Sequence, residues 1–97
     1  MEQNLEQVKK LARDLRTGEP RPPDEKLGGF PFAARCLDKC RAALVGWQGE
    51  FRYGCPMDRA FLETAGLDQN EFRDFVATGA SDSEVDKWIR LHVHARA

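Results

Sequence analysis

The sequence lacks a long hydrophobic run, an even number of cysteines and an excess of charge of either sign. No apolar stretch approaches the ~20 residues that a membrane-spanning helix needs, and the first residues lack the layout of a secretory signal. Three cysteines among 97 residues match no disulfide framework, which is typical of proteins in a reducing compartment. A formal charge of −1 gives no general attraction to nucleic acid or to an anionic membrane. We therefore expect a cytoplasmic protein with no nucleic acid and no membrane among its partners.

The sequence also lacks the motifs that characterise common enzymes and cofactor sites. It contains no nucleophile–base–acid set, no glycine-rich phosphate loop, no calcium loop and no metalloprotease helix. Gly28-Gly29 is too short to cradle a nucleotide. These absences favour a non-enzymatic protein without a cofactor.

What the sequence does have is a central helical segment, Pro31–Val45, with a strongly apolar side. Its apolar ridge consists of Phe32, Cys36, Cys40 and Leu44, widened by Ala33, Leu37 and Ala43. This spacing of three and four residues predicts a helix that buries the ridge. Pro31 suits a first helical turn, and Gly46 suits a helix end. We expect the other helices to pack against this one.

Four further segments show a start signal and apolar periodicity, and three of them end at a stop glycine. The predicted pairs of start and stop residues are Asn4 with Gly18, Pro56 with Gly66, Asp68 with Gly79, and Ser81 with an end beyond Val93. Gln7, Glu71 and Glu84 complete capping boxes at three of these starts. The alternation in Phe51–Tyr53 allows one short extended segment. We predict an all-α fold over residues 1–97, a compact single-domain bundle of about five helices.

Two stretches between the helices carry further expectations. The segment Pro20-Arg21-Pro22-Pro23 is stiffened by its prolines, so we expect it to be ordered and packed. The pair of segments around Gly79 is similar in layout to a helix-turn-helix. The second segment, however, begins with acidic residues, Asp82, Glu84 and Asp86, which would face DNA phosphates. An αα-hairpin without DNA-binding function is the better interpretation.

Cys55 is the candidate reactive group. If Pro56 is the first helical residue, Cys55 is the N-cap and faces the positive end of the helix, where the amides of Met57 and Asp58 are open. Arg52 and Arg59 would add positive charge. The alternative is a small buried cysteine with no chemical role.

Cys36 and Cys40 have a spacing that can place two thiols on one metal ion, with Cys55, His92 or His94 completing a zinc site. Both cysteines, however, lie on the stripe that a helical core requires, and structural zinc sites favour pairs in loops. We therefore predict no metal site, and expect Cys36 and Cys40 to fill the core.

The polar side of the central helix is the candidate anion site. Asp38 lies at three-residue spacing from Arg35 and Arg41, which is typical of ordinary surface pairing. Alternatively, Asp38 orients an arginine toward an anionic ligand, helped by Arg21 and Arg52. Polar groups also gather after residue 51. The candidate ligand-binding residues are Arg21, Arg35, Asp38, Arg41, Arg52 and Asp58.

The chain resembles a family of small bacterial proteins, the domain of unknown function 5069 family. The motifs that carry the resemblance are Pro20-Arg21-Pro22-Pro23, Glu25-Lys26-Leu27-Gly28-Gly29, Leu37-Asp38-Lys39, Cys55-Pro56-Met57-Asp58 and the stretch from Val76 to Asp82. The resemblance implies a single cytoplasmic helical domain and places Arg35, Asp38, Lys39, Cys55, Pro56 and Asp58 within family motifs. Cys36 and Cys40 depart from the family pattern, which further disfavours zinc. The family's name assigns no function.

Two functional hypotheses follow. The first is a non-enzymatic binding or regulatory module whose partner is a protein or a small anionic ligand. The second is a thiol-dependent enzyme or redox sensor that acts through Cys55.

Overall fold

Five α-helices make up the regular structure of the computed structural model, which describes residues 2–96 and the side chains of residues 2–93. The helices are α1 (Leu5–Leu11), α2 (Ala33–Leu44), α3 (Pro56–Ala65), α4 (Gln69–Val76) and α5 (Asp82–Arg96). Over residues 2–96 there is no β-strand, and the isolated β-pairing is an antiparallel bridge between Leu27 and Phe30. The predicted all-α fold is confirmed. The segment near Phe51–Tyr53 is irregular and ends in a turn.

The predicted caps form the starts of three helices. Asn4 Oδ1 accepts the Gln7 N–H at 3.2 Å, and Asp68 Oδ2 accepts two N–H groups of α4 at 2.9 Å each. At α5 the capping box is reciprocal. The Ser81 N–H donates to Glu84 Oε1 at 2.9 Å, and the Glu84 N–H donates to Ser81 Oγ at 3.2 Å. These contacts satisfy amides that a helix start otherwise leaves unpaired.

The first helix is shorter than predicted: it ends at Leu11 and does not continue to Gly18. Ala12 has extended backbone angles, and the chain turns after it. Leu15 is nevertheless buried, since its N–H donates to the Trp47 carbonyl at 2.9 Å and its side chain reaches the interior from a turn. Leu15, which lies within the predicted helix from Asn4 to Gly18, is therefore buried without being helical.

The central helix α2 forms the core with one apolar side, as predicted, but it begins at Ala33 rather than at Pro31, and Ala43 is exposed. Cys36, Leu37 and Cys40 are fully buried, whereas Leu44 is only half-buried. The side chains packed against them come from α3, α4 and α5, namely Phe61, Leu62, Ala65, Phe72, Val76, Val85 and Ile89. Ring contacts join these helices, with Phe72 edge-on to Phe61 at 6.4 Å and to Trp88 at 5.9 Å between centroids.

Two residues assigned to apolar helix sides are exposed. Leu5 of α1 is 39% exposed and Met57 of α3 is 48% exposed. Each lies beside an open shallow groove that no other part of the described chain fills. Both residues belong to the apolar periodicity that predicted these two helices, so that periodicity did not ensure their burial.

The proline-rich linker is ordered and packed, as expected. Pro20 is buried, and the Phe32 N–H donates to the Pro23 carbonyl at 2.7 Å. At the Leu27–Phe30 bridge the chain turns through Gly28, which has a φ of 63°. A Cβ atom at Gly28 would lie 2.7 Å from Ile89 Cγ2, so only glycine fits this approach to α5. The linker is thereby held against α2 and α5.

No helix among the described residues has the length and the apolar character needed to cross a membrane.

Candidate functional site

The polar side of α2 is buried, which contradicts its interpretation as a solvated surface. Asp38, Lys39 and Arg41 are 3–4% exposed. Their polar partners come from the proline-rich linker, from the start of α3 and from the residues around the start of α5. Helical periodicity alone therefore assigned this side of α2 to solvent wrongly. Each of the three charged groups has an oppositely charged partner from outside α2. Pairing of this kind is what makes a buried charge tolerable.

Asp38 pairs with Arg21 of the linker, rather than with Arg35 and Arg41 as helical spacing predicted. The Arg21 backbone N–H donates to Asp38 Oδ2 at 2.7 Å. The Arg21 guanidinium donates through Nε and Nη2 at 2.9–3.2 Å. Because the contact is bidentate and includes the backbone, it fixes both the position and the orientation of the linker.

Arg41 pairs with Asp82 in the first turn of α5. Arg41 Nη1 donates to Asp82 Oδ1 and Arg21 Nη1 donates to Asp82 Oδ2, each at 2.8 Å. Arg41 Nη2 donates to the Ala80 carbonyl at 2.9 Å, while its Nε is buried without a partner. Burial raises the pKa of Asp82, but hydrogen bonds from the two arginines outweigh burial and lower that pKa below its ordinary value. Asp82 thus occupies a cradle formed by two arginines.

Arg35 stands apart from this cradle. Its Nη1 donates to the Arg21 carbonyl at 3.3 Å, and its guanidinium lies 5.7 Å from the centre of the Phe51 ring. The structure therefore brings Arg21, Asp38 and Arg41 together, with Arg35 at the edge. Internal carboxylates already hold Arg21 and Arg41, which leaves these two arginines little capacity for an external anion.

A second cluster joins α2 to the start of α3. Lys39 Nζ lies 2.9 Å from Asp58 Oδ1, and both side chains are at least 95% buried. The same Nζ donates to Cys55 Sγ at 3.1 Å. Asp58 Oδ2 accepts the Gly54 N–H at 2.9 Å, which fixes the turn before the helix. Burial lowers the pKa of Lys39, but its contacts with Asp58 and Cys55 outweigh burial and raise that pKa.

Cys55 is the N-cap of α3, as predicted, but its side chain caps no amide. The predicted contacts with the Met57 and Asp58 amides are absent, because the sulfur is turned toward Lys39 instead. Lys39 supplies the positive charge that we expected from Arg52 and Arg59, two exposed residues. The resemblance placed Lys39, Cys55 and Asp58 within family motifs, but the contact between Lys39 and Cys55 was not predicted, since no local pattern links positions 39 and 55.

Cys36 and Cys40 lie in the core, and burial raises the pKa of each thiol above its ordinary value. All three cysteines are free. His92 stacks on Trp88 at 3.9 Å between ring centres, and its Nδ1 lies 2.9 Å from the Trp88 carbonyl. The side chain of His94 lies outside the described residues. Among the described residues, no three side chains of the metal-binding types come together.

An open groove of about 770 Å³ lies beside the carboxyl-terminal half of α2. It is lined by the segment after α2 and by α4, including Gly49, Glu50, Phe51, Arg52, Tyr53, Arg73 and Asp74. Tyr53 is fixed there, because its hydroxyl donates to the Gln69 carbonyl at 2.7 Å. Arg52 is exposed and has no hydrogen-bond or ion-pair partner within the described residues. Arg73, which sequence reasoning missed, reaches this groove through the packing of α4 on α2.

Fold and contacts together define a small all-α protein whose helices are joined by buried ion pairs. The chain belongs to the family described as Domain of unknown function (DUF5069), whose model matches residues 17–97. The suspected family is therefore confirmed. None of the curated proteins compared with this chain matches it.

Proposed function

We propose that this protein is a non-enzymatic binding module that takes a ligand with an anionic group, such as a carboxylate or a phosphate, in the groove beside α2. The observation that carries the proposal is Arg52, an exposed guanidinium without an internal partner that lines this groove. A guanidinium is the side chain best suited to bind carboxylates and phosphates, because its N–H groups match their geometry.

The dimensions of the groove support a ligand of modest size. Its volume of about 770 Å³ falls in the usual range of small-molecule pockets. Phe51 and Tyr53 provide aromatic surface, while Arg52 and Arg73 provide two cationic groups. Glu50 and the neighbouring Asp74 lie in the same groove, so the ligand carries a localised negative group rather than negative charge throughout.

The other candidate arginines support a structural role instead. Arg21 and Arg41 are nearly or fully buried and hold Asp82 between them. An external anion would have to displace this carboxylate, which is covalently part of the chain and so always present. Arg52, by contrast, is open to solvent and would lose no internal contact on binding.

Thermal denaturation in phosphate, compared with chloride at equal ionic strength, tests the proposal. Binding to the folded state alone stabilises it by RT ln(1 + [L]/Kd), about 2.7 kcal/mol at a hundredfold excess over Kd. We expect phosphate to stabilise the wild type and Arg59→Ala equally, because Arg59 is an exposed arginine outside the groove. The gain should disappear in Arg52→Ala and shrink in Arg73→Ala. Equal gains in all four proteins would refute an anion site in the groove.

Capture from native lysate distinguishes a protein partner from a small ligand. A protein retained by the wild type and Arg59→Ala, but lost with Arg52→Ala, identifies an acidic segment of that partner as the ligand. Phosphate should then compete for the same site and release the captured protein.

A second candidate function is a thiol-based redox sensor or enzyme acting through Cys55. The observation that favours it is the 3.1 Å contact between Lys39 Nζ and Cys55 Sγ, since reactive cysteines lie beside cationic groups and remain partly exposed. Cys55→Ser separates the two functions. It should leave phosphate binding in the groove unchanged and abolish a thiol-dependent activity.

The proposed setting of either function is the cytoplasm, without nucleic acid or membrane as a partner. Three free cysteines and a formal charge of −1 support this setting.

A further inference from the structure

We propose that Lys39 and Cys55 form a reversible covalent bridge through one oxygen atom when hydrogen peroxide oxidises the thiol. The proposal deepens the second candidate function and is independent of ligand binding in the groove. It rests on three contacts. Lys39 Nζ lies 3.1 Å from Cys55 Sγ and 2.9 Å from Asp58 Oδ1, and Asp58 is itself fixed by the Gly54 N–H at 2.9 Å.

The exposure of the three groups suits such a reaction. Cys55 is partly exposed, so peroxide can reach its sulfur. Lys39 is 5% exposed at its side chain and is held by Asp58, so its nitrogen remains beside the sulfur instead of moving into solvent. A bound nitrogen in this position has the high effective concentration that favours an intramolecular reaction. Cys36 and Cys40 are fully buried and have no lysine contact among the described residues.

The distance favours a product that retains one oxygen atom. A direct sulfur–nitrogen bond would require the two atoms to move much closer together than their present distance of 3.1 Å. An oxygen placed between them spans nearly that separation with little movement of α2 or α3. Closely packed interiors resist large displacements, so the oxygen-bridged product fits this site better.

The reaction balances with two molecules of hydrogen peroxide. In the first step, peroxide oxidises the Cys55 thiol to a sulfenic acid and is reduced to one water. Lys39 then passes a proton to the Asp58 carboxylate. In the second step, the sulfenic acid, the Lys39 amine and a second peroxide give S–O–NH and two waters. The sulfenic O–H bond, one N–H bond and the peroxide O–O bond break, and the O–N bond forms. The nitrogen is oxidised by two electrons, and the second peroxide is reduced to water by the same two electrons.

The bridge would change the charge inside the protein. Lys39 loses its ammonium charge, so Asp58, which is 2% exposed, loses its cation. Because Asp58 has taken up the Lys39 proton, a neutral carboxylic acid replaces the buried carboxylate, and it accepts the Gly54 N–H more weakly than the carboxylate did. Oxidation would therefore act on the turn that Asp58 holds at Gly54, which connects directly to Arg52 and Tyr53 in the groove.

Peptide mapping of the intact, folded protein after peroxide treatment tests the inference. We expect a cross-linked peptide pair joining Lys39 to Cys55, with a mass gain of about 14 Da over the reduced chain. Dithiothreitol should restore the original mass. Lys39→Arg keeps a cation opposite Asp58 but removes the amine, so it should yield sulfenic or sulfinic acid at Cys55 and no bridge. Cys55→Ser should show neither product.

The outcomes distinguish the bridge from the redox function on which it rests. Oxidation of wild-type Cys55 without a cross-link, seen as a gain of about 32 Da for the sulfinic acid, would overturn the bridge and leave a sensor. A direct sulfur–nitrogen link, with a loss of about 2 Da, would overturn the oxygen-bridged product. Failure of Cys55 to react in the folded wild type would overturn both the bridge and the redox function. These results come from the wild type, so they stand even if a variant fails to fold.

Discussion

The burial of Asp38 makes a quantitative prediction for Asp38→Ala. In the folded protein this carboxylate accepts the Arg21 backbone N–H at 2.7 Å and hydrogen bonds from two nitrogens, Nε and Nη2, of the Arg21 guanidinium. The substitution removes all of these contacts at once and leaves Arg21, whose side chain is 13% exposed, without its main partner.

The expected loss follows from the position of the pair. Breaking a buried ion pair by removing one partner costs about 3–5 kcal/mol, whereas an exposed pair contributes about 0–1 kcal/mol. Arg21 retains Asp82 at 2.8 Å, and alanine improves helix propensity in α2 by a few tenths of a kcal/mol. Both effects move the expected loss toward the lower end, about 3 kcal/mol. This is a large share of the roughly 5–15 kcal/mol that stabilises a domain of this size.

Urea denaturation measures this loss, with Asp14→Ala as the matched control. Asp14 also pairs with an arginine, Arg16, at 2.8 Å, but both side chains are substantially exposed. With a slope of roughly 1 kcal/mol/M, Asp38→Ala should move the midpoint by about 3 M and Asp14→Ala by less than 1 M. A midpoint shift for Asp38→Ala as small as the control's would show that the linker does not bury this pair. Such a small shift would favour the interpretation that Asp38 forms ordinary pairs on the helix surface.

Three further predictions concern the cysteines and Asp82. Alkylation of the native protein should modify Cys55 first, because Cys36 and Cys40 are fully buried and burial raises the pKa of their thiols. Mass spectrometry locates the label. Earlier labelling of Cys36 or Cys40 would contradict their burial. Cys36→Ala and Cys40→Ala should each lower the free energy of unfolding by about 1 kcal/mol or more, because each leaves a cavity in the core. Urea denaturation measures this loss. An unchanged free energy of unfolding would mean that the core closes around the gap. Asp82→Asn should flatten the acid dependence of stability. The folded-state pKa of Asp82 lies below its ordinary value of 3.8, so its stabilisation is complete above that value and is lost as the pH falls through the folded-state pKa. Thermal denaturation over a pH series should therefore show the wild type more stable than the variant near neutrality, with the two curves converging in acid. Parallel curves would show that Asp82 contributes no pH-dependent stability.

The parts of the fold that could be predicted from sequence are those decided within a few residues. The cap at Asn4 acts on Gln7, and the box at Ser81 acts on Glu84, so both partners fall in one short window. Burial of Cys36 and Cys40 also followed from spacing along a single helix. In each case the residues that interact lie within one short stretch of the sequence.

The candidate site could not be predicted in the same way, because its contacts join distant parts of the chain. Asp38 meets Arg21 from 17 residues earlier, and Lys39 meets Cys55 from 16 residues later. The polar side of the amphipathic helix α2 was assumed to be exposed to solvent, yet the linker covers it. The one available signal was the stiffness of the proline-rich linker, which indicated packing but not the surface on which it packs.

The contacts of Arg41 have a consequence for the synthesis of the chain on the ribosome. Both of its partners, the Ala80 carbonyl and the Asp82 carboxylate, come 39 and 41 residues later in the sequence. At about 5–20 residues per second, a ribosome takes roughly 2–8 seconds to reach Asp82 after adding Arg41. During that interval the partners that Arg41 has in the folded protein do not yet exist, so α2 cannot close into its final surroundings. The core therefore cannot reach its final arrangement around Arg41 until the start of α5 has been synthesised.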